Sequence, residues 1–273
     1  MLDFTIDEKN CTRCGQCVAD CPARVISMAG DVPFIVPEKE GGCYRCQHCL
    51  AVCPTGAVSI LGISPGKCLP LAGNLPAPHQ METLIKGRRS VRRYRDEDLE
   101  PELVQQLLEV AWHAPTGVNS RQVRFTVVDN RKSLARLRET VMDGLGRLVR
   151  EGRLPEKLAF FADYVRVWEA KRLDILFRDA PHLVIASAPK SIVSPLPDCL
   201  IALSYFELFA RANGVGTVWN GLAKWAIGDL VPEALPILGI PDEHLIGYAM
   251  SFGRPAVQYH RTVQHGPALI HRV

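Results

Sequence analysis

The stretch CTRCGQCVADCP at residues 11–22 is matched by CYRCQHCLAVCP at residues 43–54. Each stretch places four cysteines and a proline in the order C-x2-C-x2-C-x3-C-P. The two copies lie 32 residues apart, and the correspondence continues beyond the cysteines, since Ser27 matches Ser59. A fixed period of this kind indicates an internal repeat. This part of the chain is therefore expected to fold as two similar halves.

Each cysteine run resembles that of the bacterial two-cluster ferredoxins, whose thiolates hold [4Fe-4S] clusters. In that family the first three cysteines of a run bind one cluster and the fourth binds the other. The resemblance therefore implies two [4Fe-4S] clusters with crossed ligation. The implied ligands are Cys11, Cys14, Cys17 and Cys53 for cluster one, and Cys43, Cys46, Cys49 and Cys21 for cluster two.

Two other uses of cysteine compete with this interpretation. Zinc sites use separated C-x2-C pairs, whereas these cysteines form C-x2-C-x2-C triplets. Disulfides are typical of secreted chains, and the opening MLDFTIDEKN has no basic and apolar leader. The pattern favours clusters over both. The two cysteines outside the runs, Cys68 and Cys199, are expected to be plain thiols.

The composition is that of a globular protein, with 47% apolar and 22% charged residues among 273. The net charge of +3 is too small to indicate binding to nucleic acid. No apolar segment approaches the roughly 18 residues of a membrane span, so no membrane association is expected. Ten cysteines and oxygen-sensitive clusters suggest a reducing, cytoplasmic location.

The sequence suggests three parts. Residues 1–61 contain the cluster repeat, residues 62–80 are rich in Gly and Pro and read as a linker, and residues 81–273 form a second domain. Helices and strands mix in that domain without regular alternation, which predicts an α+β fold. The expected elements are a helix from Asp98 to before Pro115, a strand at 123–127, helices within 131–178, a strand at 182–188, a helix from Asp198 to Asn213 and a strand at 217–219.

Four segments of the second domain have a distinctive order of residues. They are RRSVRRY at 88–94, APTGVNS at 114–120, GVGTVWNG at 214–221, and GRP at 253–255 followed by YHR at 259–261. Together they resemble the signature segments of the nitroreductase family of FMN enzymes, over residues 82–273. The resemblance implies a ferredoxin-like 2[4Fe-4S] module followed by an FMN-dependent, nitroreductase-like α+β domain.

The chemistry of these segments suits FMN. A phosphate dianion is best bound by guanidinium groups, which several arginines supply. The edge of the flavin ring needs amide donors and acceptors, as on Asn119. In the family a backbone amide near Gly221 meets the flavin N5, and glycine allows that close approach. The resemblance implies cofactor contacts from Arg88, Arg89, Ser90, Arg92, Pro115, Thr116, Asn119, Asn220, Gly221 and Arg261.

The resemblance also implies an activity. Family members are homodimers with FMN at the subunit interface, and the apolar helix at 198–213 fits such an interface. We expect an oxidoreductase that passes electrons from a low-potential donor through the clusters to FMN and on to a nitroaromatic, quinone or similar small molecule. The donor is expected to be ferredoxin-like or NAD(P)H. No catalytic side chain is named, because the flavin performs the chemistry. The alternatives are an electron relay or redox sensor acting on a protein partner, and a flavin reductase.

Overall fold

The computed structural model describes residues 1–28 and 30–273. The chain divides into two compact units. The N-terminal unit comprises Met1–Pro76 together with Val118–Ser120, and the C-terminal unit comprises Ala77–Gly117 and Arg121–Val273. The division at Pro76 lies inside the segment 62–80 that the sequence suggests as a linker.

The N-terminal unit repeats one backbone conformation. Short helices α1 (Gln16–Ala19) and α2 (His48–Ala51) begin at equivalent positions of the two cysteine runs. The residue before each helix is left-handed, with φ of 70° at Gly15 and 62° at Gln47. The left-handed residue turns the chain sharply at the same point of each run, just before the helix. The sequence repeat is therefore also a structural repeat.

Two small antiparallel sheets complete this unit. Strand β1 (Thr5–Ile6) pairs with β4 (Val58–Ser59), and β2 (Ile26–Ser27) pairs with β3 (Phe34–Ile35). Single 3-10 turns lie at Pro37–Gly42 and Pro65–Lys67. The apolar residues that follow each run are buried in one core with two of the cysteines; this core contains Leu2, Cys17, Val25, Ile26, Cys49, Leu50, Val58 and Ile60.

A four-stranded antiparallel sheet lies at the centre of the C-terminal unit, in the order β5-β6-β8-β7. Its strands are β5 (Arg124–Val128), β6 (His182–Pro189), β7 (Gly216–Trp219) and β8 (His244–Gly253). Outside this sheet, Ser90 forms a parallel bridge with Thr217, so the segment at 88–94 runs along the edge strand β7.

Helices cover both faces of this sheet. Alternate residues of β6 point to opposite sides: Leu183 and Ile185 enter one core, and Val184 and Ala186 enter the other. Because both faces are buried, the strand is apolar at nearly every position. The helices are α3 (Pro78–Gly87), α4 (Pro101–Ala111), α5 (Arg131–Arg150), α6 (Phe161–Lys171), α7 (Pro195–Ala212), α8 (Gly221–Trp225) and α9 (Ala234–Leu238), with 3-10 turns at Gly117–Asn119 and Glu156–Leu158 and a π-helical turn at Ala226–Leu230.

The α+β prediction is confirmed, and most element positions agree within a few residues. The helix predicted from Asp198 to Asn213 begins three residues earlier, at Pro195, and Ser194, not Asp198, lies in the capping position. Asp198 is instead buried and accepts a hydrogen bond from the backbone N–H of Gly117 at 3.0 Å. Helix α3 was not predicted, since Pro78 and the preceding prolines read as linker. Its first-turn proline is compatible with a helix start.

Membrane insertion was not expected from the sequence. Among the residues that the structure describes, none of the helices combines the length and the apolar character needed to cross a membrane.

Candidate functional site

One group of four cysteines lines a single cavity in the N-terminal unit. Three of them, Cys43, Cys46 and Cys49, come from the second run, and Cys21 comes from the first. The rest of the wall is largely apolar and includes Val25, Ile26, Ile35 and Ile60. Thiolates around an apolar cavity are the surroundings that protein-bound iron–sulfur clusters require. This group is the ligand set implied for cluster two.

A second group forms around Cys17. Burial raises the pKa of the Cys17 thiol, and the nearby thiols of Cys53 and Cys14 raise it further. Cys53 of the second run and Cys14 of the first run therefore both lie close to Cys17. These are the neighbours that crossed ligation of cluster one requires. Cys11, the remaining member of that set, is partly buried.

Backbone N–H groups point at two of the sulfur atoms. Ala57 N donates to Cys53 Sγ at 3.2 Å, and Arg45 N donates to Cys43 Sγ at 3.4 Å. Burial acts to raise the pKa of the Cys53 thiol, but the N–H donors of Ala57 and Thr55 prevail and lower it. Hydrogen bonds to sulfur stabilise the thiolate, which is the form that binds iron.

Burial has the opposite result at Cys49, where it raises the pKa of the thiol to about 11. That thiol must lose its proton when iron binds. A zinc ion would need its sulfur ligands within about 2.3 Å of one point. Within residues 1–28 and 30–273, no three His, Cys, Asp or Glu side chains converge as on a single ion.

The segment that contains Arg88 and Ser90 is fixed to the sheet of the C-terminal unit. Val91 N donates to the carbonyl oxygen of Thr217 at 2.8 Å. A Cβ atom on Gly216 would lie 2.7 Å from Cγ2 of Val91, so only glycine allows the segment to lie this close to β7. Gly216 is therefore required for close packing. It allows the arginine-rich segment (residues 88–94) to lie beside the GTVWNG segment.

Arg88 makes an ion pair inside this region. Its Nη1 donates to Oε1 of Glu207 at 3.2 Å, with the Arg88 side chain 34% exposed and that of Glu207 8% exposed. The guanidinium carries five N–H donors, so donors remain for an anion. Arg89 is half-buried and Arg92 is exposed.

Arg261 lies elsewhere on the same unit. Its side chain is exposed and lines a groove together with Gly87, Arg211 and Tyr259. Gly87 precedes Arg88 in the chain, so the groove leads from Arg261 toward the arginine-rich segment. The structure therefore places Arg261 and the residue before Arg88 in one groove of the C-terminal unit.

Asn220 is occupied by internal hydrogen bonds. Its Nδ2 donates to the carbonyl oxygen of Leu176 and to Oγ of Ser251, both at 2.9 Å. Its Oδ1 accepts from Ala223 N at 2.9 Å, which caps helix α8. The side chain thus holds the start of α8, where Gly221 lies, and has little hydrogen-bonding capacity left for a cofactor.

Residues of the loop at 115–119 make different contacts. Thr116 Oγ1 accepts from the backbone N–H of Arg121 at 3.1 Å, and Pro115 is exposed. Asn119 belongs to the N-terminal unit, where its Nδ2 donates to the carbonyl oxygen of Tyr44 at 2.8 Å. The structure therefore does not group Asn119 in one unit with Arg88 and Gly221.

Models of two protein families match the chain. The model of the nitroreductase family matches residues 85–254. The chain belongs to the nitroreductase family. A second model, the 4Fe-4S dicluster domain, matches residues 10–58. The chain is thus an oxidoreductase of the nitroreductase family that also contains a 4Fe-4S dicluster domain.

Relatives and solved structures are similar to the nitroreductase domain. A putative NADH dehydrogenase/NAD(P)H nitroreductase of Methanothermobacter thermautotrophicus is 29% identical over 178 residues, covering 63% of this chain and 75% of the relative. A 4-nitrobenzoate reductase of a Nocardioides species is 26% identical, covering 68% and 84%. The structure of a Bacteroides fragilis nitroreductase with bound FMN has a TM-score of 0.57 at 24% identity, covering 71% of this chain and 99% of that one.

One residue of the nitroreductase domain was missed in the sequence. Glu207 is buried in α7 and accepts hydrogen bonds from Arg88, Thr217 and Trp219. The available signal was a single acidic residue among LSYFELFA, a stretch otherwise dominated by apolar residues. A buried carboxylate in such a helix needs partners, although the sequence does not identify them.

Proposed function

We propose that this protein passes electrons from a low-potential donor through two [4Fe-4S] clusters to FMN, which then reduces a nitroaromatic, a quinone or a similar small molecule. The observation that carries this proposal is the combination, in one chain, of a 4Fe-4S dicluster domain at 10–58 with a nitroreductase domain at 85–254. Clusters carry single electrons, and a flavin converts single electrons into the pair that reduces an organic acceptor.

In this proposal the eight run cysteines hold the clusters. Cys11, Cys14, Cys17 and Cys53 bind cluster one, and Cys43, Cys46, Cys49 and Cys21 bind cluster two. The cavity lined by Cys21 and three cysteines of the other run supports the second set. The influence of Cys53 and Cys14 on the Cys17 thiol supports the first.

FMN would be held by the arginine-rich segment and the start of α8. Arg88, Arg89, Arg92 and Arg261 would bind its phosphate, because guanidinium groups pair with phosphate oxygens. Ser90 would add a hydroxyl contact, and the turn of Pro115 and Thr116 would border the site. The exposed third of the Arg88 side chain supports this role, since its pair with Glu207 leaves other N–H groups free of that contact.

The ring end of FMN would lie near Gly221. Adding a Cβ atom there would bring it 2.8 Å from the hydroxyl oxygen of Tyr248, so glycine allows Tyr248 to lie this close to the start of α8. Asn220 would act by capping α8 and fixing the backbone of Gly221. Asn119 would offer the flavin its Oδ1 and its second Nδ2 hydrogen, since the Tyr44 carbonyl uses only one hydrogen of the amide. No protein acid or base is required, because bound FMN supplies the hydride chemistry.

The names of the relatives support a small-molecule acceptor. A 4-nitrobenzoate reductase and an FMN reductase [NAD(P)H] of Bacillus subtilis are among the proteins similar to this chain. We propose a nitroaromatic or quinone as the acceptor, and a ferredoxin-like protein or NAD(P)H as the donor. We place the protein in the reducing cytoplasm, where such clusters survive.

A homodimer is also proposed. Helix α7 buries one side on the sheet, but Ile201 and Tyr205 on its other side are 36% and 42% exposed. An apolar surface of this kind on a helix suits burial by a second copy of the chain.

The test begins with the protein purified without oxygen. We expect about eight irons, about eight sulfides and one FMN per chain, as two cubane clusters and one flavin require. Consumption of a nitroaromatic or a quinone by the reduced protein would then support the reaction. Iron without flavin would contradict the proposal and would indicate that the protein is an electron carrier. Flavin without iron would contradict the part of the proposal in which electrons pass through clusters.

A further inference from the structure

Glu207 is a buried carboxylate with three donors around it. The residue is 6% exposed. Its Oε1 accepts from Arg88 Nη1 at 3.2 Å and from Thr217 Oγ1 at 3.3 Å, and its Oε2 accepts from Trp219 Nε1 at 3.0 Å. Both oxygen atoms are therefore in use, and one of the three donors carries a positive charge.

Packing alone does not explain an acidic residue here. Its neighbours on α7, Phe206 and Ala210, are fully buried apolar residues. Burying a carboxylate costs several kcal/mol unless charge and hydrogen bonds compensate for the lost water. An apolar side chain of similar size would fill the space without that cost. What the carboxylate adds is a fixed orientation for its donors.

The donors of Glu207 come from two segments of the proposed FMN site. Arg88 precedes Ser90 on the arginine-rich segment, and Trp219 precedes Asn220 and Gly221 at the start of α8. The backbones of these segments already meet through the bond from Val91 N to the Thr217 carbonyl. Glu207 adds the connection between their side chains.

We propose that Glu207 is a positioning residue for FMN, an inference that rests on the proposed function above. It holds the Arg88 guanidinium so that the remaining N–H groups face the anionic end of the cofactor, and it holds the Trp219 indole beside Gly221. Glu207 itself does not touch FMN.

The direction in which FMN affinity changes in one variant distinguishes a positioning role from a simple charge effect. FMN carries a phosphate dianion, so a nearby carboxylate repels it through space. If Glu207 acted only through its charge, Glu207→Gln would make FMN bind more tightly. If Glu207 positions Arg88, the same change frees the guanidinium to rotate and makes FMN bind more weakly.

The experiment measures FMN release from the holoprotein, as the rise of FMN fluorescence after dilution. Glu207→Gln removes the charge, and Glu207→Asp keeps the charge but is one methylene too short to hold both partners. We expect both variants to release FMN about tenfold faster, the effect of one lost hydrogen bond of ordinary strength. The matched control is Glu233→Gln, which breaks the exposed ion pair with Arg147 and leaves release unchanged.

A double variant tests whether Glu207 acts through Arg88. Arg88→Ala should accelerate FMN release by itself, and adding Glu207→Gln should then accelerate it no further. A purely structural role would give the same extra effect in both backgrounds. Unchanged or slower release from Glu207→Gln, or wild-type release from Glu207→Asp, would overturn the positioning role. A wild-type protein that never binds FMN would instead contradict the proposed function.

Discussion

The hydroxyl oxygen of Tyr248 lies 2.8 Å from the position that a Cβ atom would occupy on Gly221. The tyrosine ring also packs edge-on against Trp219, with 5.3 Å between ring centroids, which limits its freedom to move aside. We therefore expect Gly221→Ala to lower the free energy of unfolding by about 1 kcal/mol, the low end for an overpacked site. Urea unfolding would measure the loss.

Removing the obstructing hydroxyl supplies the control. Tyr248→Phe combined with Gly221→Ala should recover most of the stability lost in Gly221→Ala alone, because the nearest atom is gone. If the single variant is as stable as the wild type, or if the double variant shows no recovery, the contact does not limit the residue at this position.

A larger effect is expected at Gly216. A Cβ atom there would lie 2.7 Å from Cγ2 and 2.9 Å from Cβ of Val91. The Val91 side chain cannot easily rotate away, because β-branched residues have few allowed χ1 rotamers. Gly216→Ala should lower the free energy of unfolding by about 2–3 kcal/mol. Gly87→Ala is the comparison, because nothing lies within 4 Å of its added methyl group. Equal stabilities for these two variants would show that the arginine-rich segment does not pack closely on β7.

Two asparagines that cap helices should differ in importance. Asn220 caps α8 and also donates to the Leu176 carbonyl and to Ser251, all in a buried environment. Asn130 caps α5 by accepting from Ser133 N and is partly exposed. We expect Asn220→Ala to cost about 2–4 kcal/mol and Asn130→Ala to cost about 1 kcal/mol. Similar losses in thermal or urea unfolding would mean that the additional bonds of Asn220 contribute little.

Crossed ligation of the clusters predicts a pattern of iron loss. Cys21→Ala and Cys46→Ala should each remove one cluster, about four irons, and the double variant should lose no more than either single variant. Combining Cys21→Ala with Cys14→Ala should instead remove both clusters. Cys68→Ala is the control, since this thiol is exposed and outside the runs. Ligation within each run would reverse the results of the two double variants.

Some features of the fold and the site could be predicted from the sequence because local spacing determines them. Eight cysteines at fixed intervals indicate the cluster module, and the fully apolar strand β6 indicates a sheet that is covered on both faces. The role of Asn220 could not be predicted in the same way. Its amide is used by Leu176 and Ser251, which are distant in the chain and become neighbours only after folding.

The same limit applies to Glu207 and to helix α3. The partners of Glu207 lie on two other segments, so only the tertiary structure shows that Arg88 is held by a carboxylate. The proline-rich stretch before Gly87 predicts extended backbone, yet α3 begins at Pro78, where a proline needs no hydrogen-bonding partner for its missing N–H.

In the proposed function, electrons reach FMN through the clusters. The most direct measurement is rapid, anaerobic mixing of the FMN-loaded protein with a reduced ferredoxin while the flavin absorbance is followed. The wild type should bleach, whereas the variant Cys14→Ala with Cys21→Ala, which keeps FMN but lacks both clusters, should not. Bleaching at the same rate in that variant would contradict the claim, because the electrons would then reach FMN without the clusters.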